Sequence, residues 1–208
     1  MVVSAEIRWF WRARPPSRLD EWFLAADVHG CAAGGGTTRT DRYLRDRSED
    51  ELGLKVRGGR KGVEMKGLVV KEWGRATTKP FSGTLQLWAK WISTALELPW
   101  RCTVAAEKQR WLRKFDTSGS GKEIALGRDE QPLGKRGLPK AGCNVEWTRV
   151  TLDGGVVWWT LGFEAFGPID TLERSIRLTA KQLASRHPPP LRGGIPASYP
   201  TWLKRRTQ

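Results

Sequence analysis

Apolar and charged side chains alternate with a period of two along the opening residues 3–14. Ile7, Trp9 and Trp11 take one set of alternate positions, while Glu6 and Arg8 lie in the other set. A period of two is typical of a β-strand whose two faces meet different surroundings. The chain must therefore place the apolar face of this strand in a core and find an environment for its charged face.

Glycine-rich turns join further alternating runs into predicted hairpins. Residues 54–57 and 63–66 flank the glycine-rich stretch 58–62, and residues 144–153 and 156–166 flank a pair of glycines. With the runs before and between them, we predict seven or eight strands. The hairpins favour antiparallel pairing.

Three segments show the spacing of three to four residues between apolar side chains that is typical of amphipathic helices. They are residues 19–26, 84–98 and 170–185. Helices do not alternate with single strands as they do in parallel sheets, so the predicted class is an antiparallel α+β fold.

A chain of 208 residues suits one domain. Residues 116–142 are rich in glycine and charge, and we predict that they form an exposed loop insertion. Residues 186–208 are predicted to be a proline-rich segment that ends in a frayed basic tail. We therefore expect residues 1–208 to be a single domain with these two appendages.

The net charge of +14, from 36 Lys and Arg against 22 Asp and Glu, favours a polyanionic partner. Nucleic acid, polyphosphate, phosphorylated metabolites and an anionic membrane surface all fit this charge. No apolar stretch approaches the length of a membrane span. Three widely spaced cysteines favour a reducing compartment, and the opening residues do not resemble a secretory signal. We expect a cytoplasmic protein, with an organellar location left open.

The charged faces of the strands allow two interpretations. They are either the solvated outer face of an ordinary sheet or the inner wall of a barrel whose apolar faces point outward against helices. A barrel lumen lined by Lys and Arg would attract a compact polyanion. The cations in predicted strands are Arg8, Arg12, Lys55, Arg57, Lys66, Arg110, Lys114 and Arg149.

A series of short motifs, collinear along the chain, resembles the CYTH domain of the triphosphate tunnel metalloenzymes. The first is Glu6-Ile7-Arg8-Trp9-Phe10, in the place of the family's Glu-x-Glu-x-Lys strand. The others are Arg39-Thr40-Asp41-Arg42-Tyr43-Leu44, Leu54-Lys55-Val56-Arg57, Glu64-Met65-Lys66-Gly67, the basic run 108–115, Val150-Thr151-Leu152-Asp153, Glu164 and Ser198-Tyr199.

The resemblance implies an eight-stranded antiparallel β-barrel, a tunnel with flanking helices, that holds a triphosphate. It implies that the phosphates are bound by Arg39, Lys55, Arg57, Lys66 and Arg110. It also implies that Glu6 and Glu164 hold Mg²⁺ or Mn²⁺, with Glu64 and Glu146 as further candidates. Hard oxygen ligands suit these cations, and the metal would polarise the phosphoryl oxygens.

The acidic half of the family pattern is incomplete. Arg8 and Phe10 replace the second Glu and the Lys of the first motif, and Gly162 replaces the first Glu of the late Glu-x-Glu motif. We therefore expect a divergent tunnel protein that binds a polyphosphate or an organic triphosphate, with weak Mg²⁺-dependent triphosphatase activity at most. The alternative is a catalytically degenerate basic subunit of a larger complex, such as one that contains RNA. A free-standing nucleic-acid-binding module is a third hypothesis.

Overall fold

The computed structural model describes residues 1–27, 30–45, 50–133 and 139–206. In these residues the chain forms a closed eight-stranded antiparallel β-barrel with two extra short strands and three α-helices. The predicted fold class, an α+β barrel with flanking helices, is confirmed. No helix in this part of the chain is both long enough and apolar enough to cross a membrane.

The strands of the barrel have ten to fourteen residues, except β3 with five, and the two extra strands are short. They are β1 (Val2–Arg12), β2 (Gly34–Leu44), β3 (Leu52–Val56), β4 (Val63–Ala76), β5 (Gly83–Ser93), β6 (Thr103–Asp116), β7 (Lys122–Ile124), β8 (Gly142–Leu152), β9 (Val157–Phe166) and β10 (Ile195–Pro196). The helices are α1 (Leu19–Leu24), α2 (Leu172–Ala184) and α3 (Tyr199–Arg206).

Pairing between β1 and β9 closes the barrel. Neighbouring strands around it run β1-β5-β4-β3-β2-β6-β8-β9, and β9 returns to β1 with the register Glu6 opposite Glu164 and Arg8 opposite Gly162. β7 pairs with β6, and β10 pairs with β1. Because directly opposed residues share a face of the sheet, this register sends all four of these residues into the lumen.

The apolar faces of the strands point outward into a core under α2. Ile7, Trp9 and Trp11 of β1 are buried there, as the alternation predicts, together with Trp147 and Phe163 from β8 and β9. α2 lays Leu172, Ile176, Ala180 and Leu183 on this surface. The helix thus removes the outer apolar wall of the barrel from water, which is the main favourable term in its docking.

The prediction of a helix over residues 84–98 is wrong, because this segment contains most of the barrel strand β5. Leu85, Trp88 and Ile92 have helical spacing by coincidence, because both faces of β5 carry apolar side chains. Leu85 and Leu87 point outward into the core, and Trp88 points into the barrel. When both faces are buried, periodicity no longer distinguishes a strand from a helix.

The exposed loop predicted for residues 116–142 is also wrong in part, although residues 134–138 of it lie outside the described residues. Residues 122–124 form β7, which extends the sheet beside the end of β6. Glu123 of β7 is buried and forms an ion pair with Arg113 at 2.6 Å. This charge pair holds the segment against the barrel, since a buried unpaired carboxylate would be costly.

Residues 199–206 of the segment predicted to end in a frayed tail form α3, and residues 207 and 208 lie outside the described residues. α3 buries Trp202 and Leu203 against the barrel, and the ring of Trp202 stacks on Phe10 with a centroid distance of 4.8 Å. Tyr43 and Tyr199 stack beside them. This aromatic cluster gives the last helix a defined place on the barrel.

Candidate functional site

The barrel encloses a cavity of about 760 Å³ that is strongly charged. Its volume lies within the range of small-molecule sites, roughly 300–1,000 Å³. Among the described residues, ten Lys and Arg side chains and five Glu side chains line it. The cations are Arg8, Arg39, Lys55, Arg57, Arg60, Lys66, Lys90, Lys108, Arg110 and Lys114, and the carboxylates are Glu6, Glu64, Glu130, Glu146 and Glu164.

All the site residues predicted from the sequence line this one cavity. They are Arg39, Lys55, Arg57, Lys66 and Arg110 as phosphate ligands, and Glu6 and Glu164 as metal ligands. The structure thus brings them together from six strands and the turn after β3. Their roles in phosphate and metal binding stay predictions.

Glu6 and Glu164 are opposed across β1 and β9 and share one lysine. Nζ of Lys90 lies 2.7 Å from Oε1 of Glu6 and 2.7 Å from Oε1 of Glu164. Lys66 binds the other carboxylate oxygen of Glu6. Burial would raise the pKa of Glu6, but the two ammonium groups outweigh it and hold this pKa well below its usual range. Burial, with Lys90 nearby, lowers the pKa of Lys66 to about 8.

Arg8 lies where the family resemblance expects a carboxylate, and Glu146 neutralises it. Nη2 of Arg8 lies 2.7 Å from one oxygen of Glu146, and Nη1 of Arg110 lies 2.7 Å from the other. Arg110 also pairs with Glu130. The two guanidinium groups outweigh the effect of burial and hold the pKa of Glu146 well below its ordinary value.

Gly162 provides the space that Arg8 occupies. A Cβ at position 162 would lie 2.5 Å from Nη2 of Arg8 and 2.8 Å from its Nε, which is closer than real Cβ contacts. Arg8 and Gly162 are therefore structurally coupled: the guanidinium group from β1 fills the space that a side chain at position 162 on β9 would occupy.

Asp41 is completely buried at the centre of a second charge cluster. Its carboxylate lies 3.0 Å from Arg39, 3.6 Å from Lys108 and 3.9 Å from Lys55. Burial alone would raise the pKa of Asp41, but these cations lower it. Burial also lowers the pKa of Lys108 well below its ordinary value. The ammonium group of Lys108 lies 3.9 Å from the ring centroid of Tyr199, which adds a cation–π contact.

Three cations of the lumen have no carboxylate within 4.0 Å in the part of the chain that the structure describes: Arg57, Arg60 and Lys114. Burial lowers the pKa of Arg57, and repulsion from Arg39, Arg110 and Arg60 lowers it further. Arg57 and Arg60 thus lie close together without a contacting carboxylate among the described residues. The unbalanced charge of the lumen is thus concentrated around Arg57.

A smaller cavity of about 270 Å³ meets the lumen at this point. The two cavities share Arg39, Arg57, Arg60 and Glu130, and the charged residues that the smaller one adds are Arg128 and Asp129. An anion that approaches from this side meets several guanidinium groups before it reaches the paired charges deeper in the barrel. Guanidinium groups are well suited to bind phosphate oxygens in pairs.

The carboxylates of the lumen do not form a ready metal site. The described residues contain no group of three or more His, Cys, Asp and Glu side chains able to hold a metal ion. Glu6 and Glu164 do lie together, as the resemblance implies, but both bind the ammonium group of Lys90. As it stands, this donor set fits an ammonium ion and does not fit Mg²⁺ or Mn²⁺.

A comparison with protein-family models and with curated proteins finds no match for this chain. The resemblance to the triphosphate tunnel proteins therefore stays a prediction, based on the motifs of the sequence.

Sequence reasoning missed Lys90, Arg60 and the structural role of Asp41. Lys90 was hidden because its strand was predicted to be a helix, and a period of two through Gln86, Trp88 and Lys90 was the signal that could have revealed it. Arg60 follows the predicted strand in a turn, where periodicity predicts no direction for a side chain.

The contact between Arg8 and Gly162 predicts that a single methyl group added at position 162 destabilises the fold. G162A should lower the free energy of unfolding by about 1–3 kcal/mol, because Arg8 must leave its place beside Glu146. In an R8M background the same substitution should cost less, and a double-mutant cycle in urea measures the difference.

The matched control is G67A in β4, where a Cβ would meet Trp91 at an ordinary 3.6 Å. It should be close to neutral or stabilising. An equal cost of G162A with and without Arg8 would contradict this interpretation of the contact.

The lowered carboxylate pKa values predict loss of stability in acid. Asp41, Glu64 and Glu146 have a lower pKa in the folded than in the unfolded chain. Their charged forms therefore stabilise the fold at a pH above the ordinary carboxyl pKa, and this stabilisation is lost as the pH falls through the lowered pKa values. At a pH below about 4.5 the free energy of unfolding should therefore decrease, and in E146Q it should decrease less steeply.

Chemical denaturation at a series of pH values measures this slope. D170N, at an exposed carboxylate outside the lumen, should keep the slope of the original protein. A free energy of unfolding that does not change between neutral pH and about pH 3 would mean that the ion pairs of the lumen carboxylates do not stabilise the fold.

Proposed function

We propose that this protein is a divergent triphosphate-tunnel protein that binds a polyphosphate or an organic triphosphate inside its barrel. The observation that carries the proposal is the unbalanced positive charge around Arg57, inside a closed barrel and at the meeting point of two cavities. Cations that converge in a space with little water attract a compact polyanion more strongly than the same charges on an open surface.

The arrangement of the cations favours a ligand with several phosphate groups in a row. Arg39, Arg57 and Arg60 lie where the cavities meet, and Arg110 follows beside Glu130 and Glu146. Lys55 and Lys66 lie further around the wall, each already paired with a carboxylate. A chain of phosphates would find Arg57 and Arg60 without a contacting carboxylate and would compete with carboxylates for the other cations, including Arg39.

Hydrolysis assisted by Mg²⁺ or Mn²⁺ stays a prediction of the family resemblance. It would depend on carboxylates that Lys90, Arg8 and Arg110 already engage. Release of phosphate from tripolyphosphate, ATP or thiamine triphosphate, with and without metal, is the assay that measures it. A role as a basic subunit of an RNA-containing complex is a hypothesis that no feature of the described residues tests.

Isothermal titration with tripolyphosphate tests the proposal. The original protein should bind it, and R57A should weaken binding about tenfold or more because a charge-assisted contact to phosphate is lost. Affinity should also fall as salt is raised, since the attraction is electrostatic.

K71A is the matched control, because Lys71 is an exposed cation of β4 outside the cavity. It removes the same charge and should leave the affinity unchanged. Equal weakening by R57A and K71A, or no binding of tripolyphosphate, ATP or thiamine triphosphate at low salt, would refute the proposed function.

A further inference from the structure

A lysine ammonium group lies where a divalent cation would need to bind. Nζ of Lys90 is 2.7 Å from an oxygen of Glu6 and 2.7 Å from an oxygen of Glu164, and the two carboxylates are opposed on adjacent strands. Two carboxylates that converge inside a charged cavity are the usual protein contribution to an Mg²⁺ site that phosphate oxygens complete. Here the positive charge between the two carboxylates is the ammonium group of Lys90.

Other carboxylate oxygens near this position are also engaged. The second oxygen of Glu6 binds Lys66, and its first oxygen also accepts a hydrogen bond from Ser4 at 2.9 Å. Both oxygens of Glu146 bind guanidinium groups, one from Arg8 and one from Arg110. A metal ion would have to displace at least one of these cations, which would then lose its carboxylate partner.

We propose that Lys90 is a built-in substitute for the divalent cation, so that the lumen takes metal-free polyphosphate and Mg²⁺ opposes binding. The cations of the lumen outnumber its carboxylates before any ligand enters. Mg²⁺ on the phosphate chain cancels the charge that the lumen attracts, and it brings a further cation beside Lys66 and Lys90. Metal therefore weakens binding here, whereas a metal-dependent tunnel enzyme requires it.

The part of this inference that concerns the ligand rests on the proposed function, and the part that concerns Lys90 does not. The carboxylate pair is closed to metal whatever the lumen binds. The test accordingly has one arm with metal alone and one with phosphate.

In the first arm, Mn²⁺ is titrated into the protein without phosphate, and the free ion is followed by its electron paramagnetic resonance signal. K90A should bind Mn²⁺ at least about tenfold more tightly than the original protein, because one positive charge in contact with both carboxylates is removed. K90A/E164Q should lose this gain, because it removes one of the two carboxylates.

K114A is the matched control for charge. Lys114 lines the same cavity and has no carboxylate within 4.0 Å among the described residues, so its removal lowers the lumen charge equally without freeing an acid. Because Lys114 still interacts with Glu164 through space, K114A should gain some affinity for Mn²⁺, but clearly less than K90A. An equal gain in K114A, or tight Mn²⁺ binding by the original protein that E164Q abolishes, would overturn the assignment of Lys90.

In the second arm, tripolyphosphate is titrated into the original protein in EDTA and again in excess Mg²⁺. The apparent affinity should be weaker in Mg²⁺, and a tighter affinity would overturn the inference even if K90A fails to fold. Absence of binding in both conditions refutes the proposed function instead, and the Mn²⁺ comparison then still decides the role of Lys90.

Discussion

Burying a charged side chain is possible only when another charge or a dense set of hydrogen bonds compensates for the lost water. This constraint organises the whole barrel. Ten cations face one cavity, and seven of them contact a carboxylate among the described residues. The carboxylates at the centres of these contacts are Glu6, Glu146 and Glu164 on one side and Asp41 on the other. The excess of positive charge remains where the compensation ends, around Arg57.

The closure of the sheet makes this arrangement possible. Pairing of β1 with β9 sets Glu6 beside Glu164 and sets Arg8 beside Gly162, so two acids share Lys90 while the guanidinium group of Arg8 fills the space over a glycine. A one-residue slip in this register would turn all these groups into the outer apolar core. The fold and the electrostatics of the lumen therefore depend on the same pairing.

Much of the barrel was predictable, because alternation with a period of two identifies β1, the β3–β4 hairpin and the β8–β9 hairpin directly. β5 was not, since its two faces are both apolar and Leu85, Trp88 and Ile92 mimic a helix. The composition of the lumen was predictable in part, since Lys90 and Arg60 were missed, and its ion pairs were not predictable. Which acid meets Lys90 depends on the register between β1, β5 and β9, and local sequence does not encode register. The position of α3 depends on contacts between Trp202 and residues far away in the chain.

We propose that the carboxylates of the lumen are already paired with its own cations, so that the excess of positive charge is left for phosphate and no place is left for metal. A crystal structure grown with tripolyphosphate and excess Mn²⁺, with data collected at the manganese absorption edge, tests it directly. The account predicts phosphate density beside Arg57, Lys90 still between Glu6 and Glu164, and no anomalous peak at that position. A manganese peak coordinated by Glu6 and Glu164, with Lys90 displaced, would contradict it.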